Sequence, residues 1–397
     1  MRRPLPPPKE HHPRPLRYAF EKNKCWDTMI KEAPETFRPI EIEEITKMLA
    51  CAKPVLGGKE YCCEKSDCPH QKYRYFTCSS RACSSCGKKS TDNWITQQVN
   101  RLPDCHWQHM TFTMPDVFWE LFFNNRVLLD KICQLAVDNL LYAAKKRGLT
   151  IGIFCAIHTY GRRLTWHPHA HASVTLGGLD EDGKWHAIEF FHEKVEQRWR
   201  HNLCDFLLAE YENLNIDQTQ YRDFDEWRRF VNGQRKRFWH VHFTQLTKDP
   251  NSTINYLGRY LKRPPISGMR LSHYRGEPTL SFNYLNHRTG EYEEEHLTQE
   301  ELIRRIVQHI PEKGFKMIRY YGFLANRVVG NLLGKVRAAL GMKKLTPVAR
   351  LRYGQMIKSF LNQDPFTCVL CGGRMIFRRF IAGKGRKKLI EEAFPNC

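Results

Sequence analysis

The stretch Trp166-His167-Pro168-His169-Ala170-His171-Ala172-Ser173-Val174-Thr175-Leu176-Gly177-Gly178 limits the fold more than any other part of the chain. It has the alternating texture of a β-strand, and the glycine pair is expected to end it. Side chains alternate between faces along a strand, so His169 and His171 share one face, with His167 in line behind them. Ile151–Thr159 is predicted to be the hairpin partner across a Gly161-Arg162-Arg163 turn. Two neutral imidazoles held side by side begin a divalent-metal site. His158, at the end of the partner strand, is the candidate third ligand; a hydrogen-bonded strand-end histidine is the alternative. Trp239-His240-Val241-His242-Phe243 repeats the His-apolar-His pattern, and spacing alone does not separate it from the first.

A second segment, Asn255-Tyr256-Leu257-Gly258-Arg259-Tyr260, places two tyrosines at i and i+4, on one face of a short helix predicted over 253–262. Paired core aromatics are the bland reading. Against it, Gly258 is a poor residue for a core helix, and it permits close approach of a backbone. Arg259, Lys262 and Arg263 add phosphate-binding charge around these tyrosines. A metal that polarises a phosphate and a phenol that attacks it are the minimum parts of a covalent strand-cutting enzyme.

Cysteine clusters in an early module and again near the end. Cys63-x4-Cys68 followed by Cys83-x2-Cys86 suits tetrahedral Zn²⁺, with Cys51, Cys62 and Cys78 as further candidates. Fifteen cysteines, an odd number, with no secretory pattern after Met1, favour thiolates on metal over disulfides. Lys88, Lys89 and Trp94 beyond the module are candidate phosphate and stacking contacts. Cys368-x2-Cys371 is half a zinc knuckle without an evident partner pair, and the basic residues around it (Arg374, Arg378, Arg379, Lys384) suit a non-specific grip on DNA.

The charge balance selects the partner. Sixty-three Lys and Arg against 42 Asp and Glu give +21, and nucleic acid is the commonest polyanion for such a chain. Hydrophobic content of 41% excludes a disordered chain, and no apolar run is long enough to span a membrane. No phosphate-cradling Gly-x-x-x-x-Gly-Lys-Ser/Thr loop is present. Helices are expected at 25–50, 89–100, 117–147, 190–213, 298–309 and 321–340, and strands at 106–114, 237–245 and 280–285. The division expected is a basic arm (1–20), a helical and zinc-binding part (21–103), a nuclease core (104–264) and a basic α/β region (265–397).

The pattern His-Pro-His-Ala-His, a strand, Gly-Gly and then Tyr-Leu-Gly-Arg-Tyr resembles the two-tyrosine rolling-circle insertion-sequence transposases of the HUH endonuclease superfamily. The likeness extends through His158-Thr159-Tyr160-Gly161, Lys313-Gly314-Phe315 and Tyr321-Gly322-Phe323-Leu324-Ala325-Asn326-Arg327, covering roughly 45–375. It implies an α+β fold: a ferredoxin-like antiparallel sheet carrying the metal pair His169 and His171, a small zinc module and a mixed basic C-terminal region. The implied nucleophiles are Tyr256 and Tyr260, with Mg²⁺ or Mn²⁺ at the nuclease site and Zn²⁺ in the cysteine module. Members often carry asparagine where this chain has His167. The expected substrate is single-stranded DNA at transposon ends, joined to target DNA through a 5′-phosphotyrosine, with Arg162, Arg163, Arg259, Lys262 and Arg263 as DNA contacts. A cytoplasmic, nucleoid-associated protein is expected. A replication initiator or relaxase of the same superfamily, and a non-catalytic zinc-dependent DNA-binding regulator, are the rival readings.

Overall fold

The computed structural model describes residues 14–216, 221–237, 239–244, 265–267, 270–272, 279–286, 289–343 and 352–394. The strands are β1 Gly58–Cys63, β2 Gln71–Tyr75, β3 Trp107–Phe112, β4 Thr150–Tyr160, β5 Trp166–Leu179, β6 Trp185–Ala187, β7 Val241–Phe243, β8 Leu271–Ser272, β9 Thr279–Leu285, β10 Tyr292–Thr298, β11 Ile318–Gly322 and β12 Met375–Ile381. They form three antiparallel sheets among the described residues, and helices pack around them.

The central sheet runs β11-β4-β5-β3-β7, with β6 beside β5. Its two faces differ because the strand period sorts the side chains. Ile153, Cys155 and Ile157 of β4, Ala170, Ala172 and Val174 of β5, Met110 and Phe112 of β3 and Val241 of β7 form one apolar face. This face is buried under the amphipathic helices Leu129–Lys145 and His192–Ala209, whose Ile132, Ala136, Leu140, Trp199 and Leu203 join the same core. Each Val, Leu, Ile, Met or Phe side chain removed from water contributes roughly 1.5–3 kcal/mol, which fixes register, since a one-residue slip would expose the whole set. The opposite face is covered at one end, where Trp107 and Phe154 pack with Trp94, Phe323 and Val336. At its other end it carries the histidines.

A second core joins the N-terminal helices to a later part of the chain. Leu16, Phe20, Trp26, Ile45 and Met48 pack with Phe282 of β9 and with Leu302, Ile303 and Ile306 of the helix Gln299–Val307. The helix Pro39–Leu49 begins with proline, and the Glu41 carboxylate accepts the Arg38 backbone N–H at 3.0 Å.

Several expectations are corrected. The helix expected at 117–147 is two helices, Trp119–Asn124 and Leu129–Lys145. Asn125 breaks it: its amide donates to the Leu121 and Asn215 carbonyls and accepts the Asn215 N–H. Gly177-Gly178 does not end β5. The strand continues to Leu179 and pairs with β6, and a Cβ on Gly177 would sit 2.5 Å from the Trp185 ring. The helix expected at 321–340 starts at Val329, because Ile318–Gly322 is instead the edge strand paired with β4. The helix Phe224–Gln234, capped by Asp223 accepting from the Glu226 N–H, is not among the sequence expectations. Residues after 265 do not form a region apart: β11 joins the central sheet and β12 pairs with β1. Among the described residues no helix is long and apolar enough to cross a membrane.

Candidate functional site

The polar face of the central sheet aligns imidazoles from three strands. His169 of β5 lies opposite His158 of β4, His171 is two residues further along β5, and Thr111 of β3 lies opposite His171. One donor nitrogen from each of His158, His169 and His171 comes within 4.8 Å of the other two, and all three side chains are buried. A divalent ion sits about 2.1 Å from imidazole nitrogens, so small ring rotations close the set around one. The three rings therefore fit a metal with open positions left for substrate oxygens.

Hydrogen bonds orient the rings. The His167 carbonyl accepts from Nδ1 of His169 at 2.7 Å, which leaves the ring's lone pair on Nε2. Nδ1 of His171 lies 3.1 Å from Nε2 of His109 and 3.2 Å from Thr111 Oγ1, and Nδ1 of His109 lies 3.0 Å from Ser173 Oγ. Such outer contacts fix the tautomer and the aim of a ligating ring. Burial favours the neutral form of His169, His109 and His171. It pushes His169 down to about 3, helped by the charge of neighbouring His167, and His109 down to about 4, helped by His242. His171 is pushed well below its usual value by burial and by the surrounding histidines. Neutral nitrogen is the form that binds a cation.

His109 was not among the sequence candidates. Its signal is in the alternation, because His109 and Thr111 are two apart on β3 and share a face. His167 is half-buried and packs its ring 4.5 Å from that of Trp119. In the repeated His-apolar-His segment, His242 lies opposite Thr111 but is exposed, at the rim of the same face. Tyr256, Tyr260, Arg259, Lys262 and Arg263 lie outside the described residues.

Arg162 and Arg163 are exposed, and each bonds another part of the protein. Arg163 grips Glu295 with two hydrogen bonds, at 2.7 and 3.0 Å, and Arg162 donates to the Leu285 carbonyl. Trp94 is buried, and its Nε1–H donates to the Tyr320 hydroxyl at 2.9 Å, so its ring is core rather than a stacking platform. Lys88 pairs with Asp92 at 2.7 Å. Arg378 and Arg379 both bind the buried Glu60 carboxylate, and Arg374 binds Asp364 at 3.0 Å.

The cysteines form two groups, which divide the expected quartet. Cys83 and Cys86 meet Cys51 and Cys78, whereas Cys63 and Cys68 meet Cys368 and Cys371. Local structure explains the first group. Cys51 follows the Pro39–Leu49 helix, Cys83 caps the helix Ser84–Arg101, and Cys86 lies in that helix's first turn, where the macrodipole favours a thiolate. Its sulfurs are spaced at 3.6, 3.7 and 3.8 Å. A tetrahedron with Zn–S near 2.3 Å has edges of about 3.8 Å, whereas a disulfide needs about 2.05 Å.

Comparison with known proteins finds transposases. Residues 152–331 match the family described as "Putative transposase", and residues 22–114 match the "Transposase zinc-binding domain". The chain is similar to the transposase for insertion sequence element IS801 of Pseudomonas savastanoi pv. phaseolicola. The two are 53% identical over 374 residues, covering 94% of this chain and 91% of the relative. It is also similar to "Putative transposase y4qJ" of Sinorhizobium fredii (strain NBRC 101917 / NGR234), 28% identical over 342 residues, covering 81% and 85%. No solved structure matches.

Proposed function

Because the chain belongs to the insertion-sequence transposases, we propose that it cuts and rejoins single-stranded DNA at the ends of a mobile element, with His158, His169 and His171 as the metal site and Tyr256 and Tyr260 as nucleophiles. The observation that supports this most directly is the convergence of three buried imidazoles on one face of an antiparallel sheet. His158, His169 and His171 would hold a Mg²⁺ or Mn²⁺, which would supply polarisation of the scissile phosphate and offset charge developing in the transition state.

The protein's own groups do the rest. A tyrosine phenol loses its proton as its oxygen attacks phosphorus. The bond from phosphorus to the departing 3′-oxygen breaks, and that oxygen takes a proton to become a free 3′-hydroxyl. The product is a 5′-phosphotyrosine, whose bond energy is retained for rejoining, so no nucleotide triphosphate is required. The second tyrosine permits a further cut before the first link is resolved. Zn²⁺ on Cys51, Cys78, Cys83 and Cys86 holds the N-terminal module together, which is a folding role rather than a catalytic one.

The test is covalent trapping. With Mn²⁺ or Mg²⁺ and a labelled single-stranded oligonucleotide carrying an element end, a protein–DNA adduct that survives denaturation is expected. The double variant Y256F/Y260F loses the adduct while retaining DNA binding, because only two hydroxyls are removed. An undiminished adduct in that variant overturns the assignment of the nucleophiles. A wild-type protein that binds the strand and never becomes linked to it supports a regulator instead.

A further inference from the structure

The second cysteine group is drawn from the two ends of the chain. Cys63 closes β1 and Cys68 lies in the turn after it, while Cys368 and Cys371 form the knuckle that leads into β12. Cys63 Sγ lies 3.4 Å from Cys371 Sγ, and Cys68 Sγ lies 3.7 Å from Cys368 Sγ. These spacings are too long for disulfides and close to the edges of a zinc tetrathiolate. They also match those of the Cys51 group, which lies within the zinc-binding family match. That match ends at residue 114 and does not reach Cys368 or Cys371.

The surroundings are built around this group. Gly372 adopts φ +71°, its N–H bonds the Cys368 carbonyl at 2.9 Å, and the Cys368 N–H bonds the Gly373 carbonyl at 2.7 Å, which folds the knuckle tightly. A Cβ on Gly373 would come 3.4 Å from both Cys63 Sγ and Cys371 Sγ. His70 Nδ1 stands 3.1 Å from Cys368 Sγ, in place to donate to a thiolate. Across the junction the Glu64 N–H bonds the Arg374 carbonyl at 2.9 Å, and the Glu64 carboxylate accepts the Arg374 N–H at 2.7 Å. The apolar core here is small: Tyr61, Cys63, Cys368 and Met375 are its buried members. So few buried groups do not offset the entropy of ordering a terminal segment, and a metal supplies what the core lacks.

We propose that Cys63, Cys68, Cys368 and Cys371 form a second structural Zn²⁺ site, separate from the Cys51 group, and that this ion fastens the C-terminal strand β12 to the N-terminal module. Binding converts four thiols to thiolates and releases their protons to solvent. The ion ties residues some three hundred positions apart. The site does not depend on the strand-transfer chemistry proposed above, and it can fail while that reading stands.

Two measurements on the full chain test it. Zinc analysis of the purified protein is expected to give two equivalents, falling to one in C368S/C371S. Two equivalents retained in that variant would overturn the site. The second measurement needs no variant: thiol alkylation of the native protein mapped by mass spectrometry. Cys63, Cys68, Cys368 and Cys371 are expected to be protected together and released together by chelation, with β12 gaining fast amide exchange at that same step. Protection of Cys63 and Cys68 while Cys368 and Cys371 react as free thiols overturns the proposal. Amide exchange in β12 that is indifferent to chelator overturns the fastening role.

Discussion

His109 touches His171 and stands outside the proposed ligand set, so its role is to aim a ring rather than to bind the ion. Replacing it with Phe keeps a planar ring but removes the nitrogen at 3.1 Å from His171 Nδ1. Loss of an outer contact of this kind costs roughly 10–100-fold in metal affinity. H109F is therefore expected to cleave poorly at low Mn²⁺ and to recover as Mn²⁺ is raised, read from the metal dependence of adduct formation. A defect unchanged at saturating metal contradicts the positioning role. His309 offers a separate residue-scale test away from the site. It is buried, its Nε2–H donates to the Leu164 carbonyl at 3.0 Å, and its Nδ1 accepts from the Thr159 hydroxyl at 3.1 Å. Burial holds its pKa at about 3, below the ordinary 6.5. The sign follows: the unfolded chain binds the proton that the native state refuses. The contribution is thus complete above pH 6.5 and is lost, by about 1.4 kcal/mol per pH unit, as pH falls toward 3. H309Q, which keeps a donor and an acceptor, is expected to flatten the fall in stability between about pH 6 and 4 in urea denaturation.

At the scale of elements, the pairing of β11 with β4 decides the edge of the nuclease sheet. Gly322 ends that strand at φ +60°, and a Cβ there would meet the Ile151 carbonyl oxygen at 1.7 Å. No side chain can be accommodated without moving the strand. G322A is expected to destabilise the fold by about 3 kcal/mol or more, measured as a lower denaturation midpoint with unchanged m-value. Elements with one sustained period were legible in the sequence: the β4–β5 hairpin, the helices over 190–213 and 298–309, and the strand over 106–114. Elements governed by a distant partner were not. The break at Asn125 depends on the backbone of Asn215, ninety residues away. The continuation of β5 through Gly177-Gly178 depends on Trp185 packing where side chains are missing. Gly-Gly carries the same local signal whether it ends a strand or admits a ring.

For the whole molecule, a charge of +21 predicts how the protein meets DNA. Much of the C-terminal basicity is already balanced by Glu60 and Asp364, and Arg163 by Glu295, so the effective footprint is smaller than the formal charge. Binding to a single-stranded oligonucleotide is still expected to weaken about 10²-fold or more between roughly 50 and 200 mM salt if about six phosphates are neutralised. Titration of affinity against salt gives that number directly, and a flat response would mean that phosphate contacts do not drive binding.

The sequence by itself determined which residues could do chemistry: the histidines on alternate strand positions, the cysteines at knuckle spacing, and the tyrosines four residues apart. Periodicity and ligand spacing are local properties, written within a few residues of chain. Only the tertiary structure decided which of these groups meet. It set His109 behind His171 by strand pairing, engaged Arg162 and Arg163 within the protein, and divided the cysteines so that Cys63 and Cys68 join Cys368 and Cys371. Register between distant strands sets those meetings, and it follows from burying the whole apolar face at once rather than from any short stretch of residues.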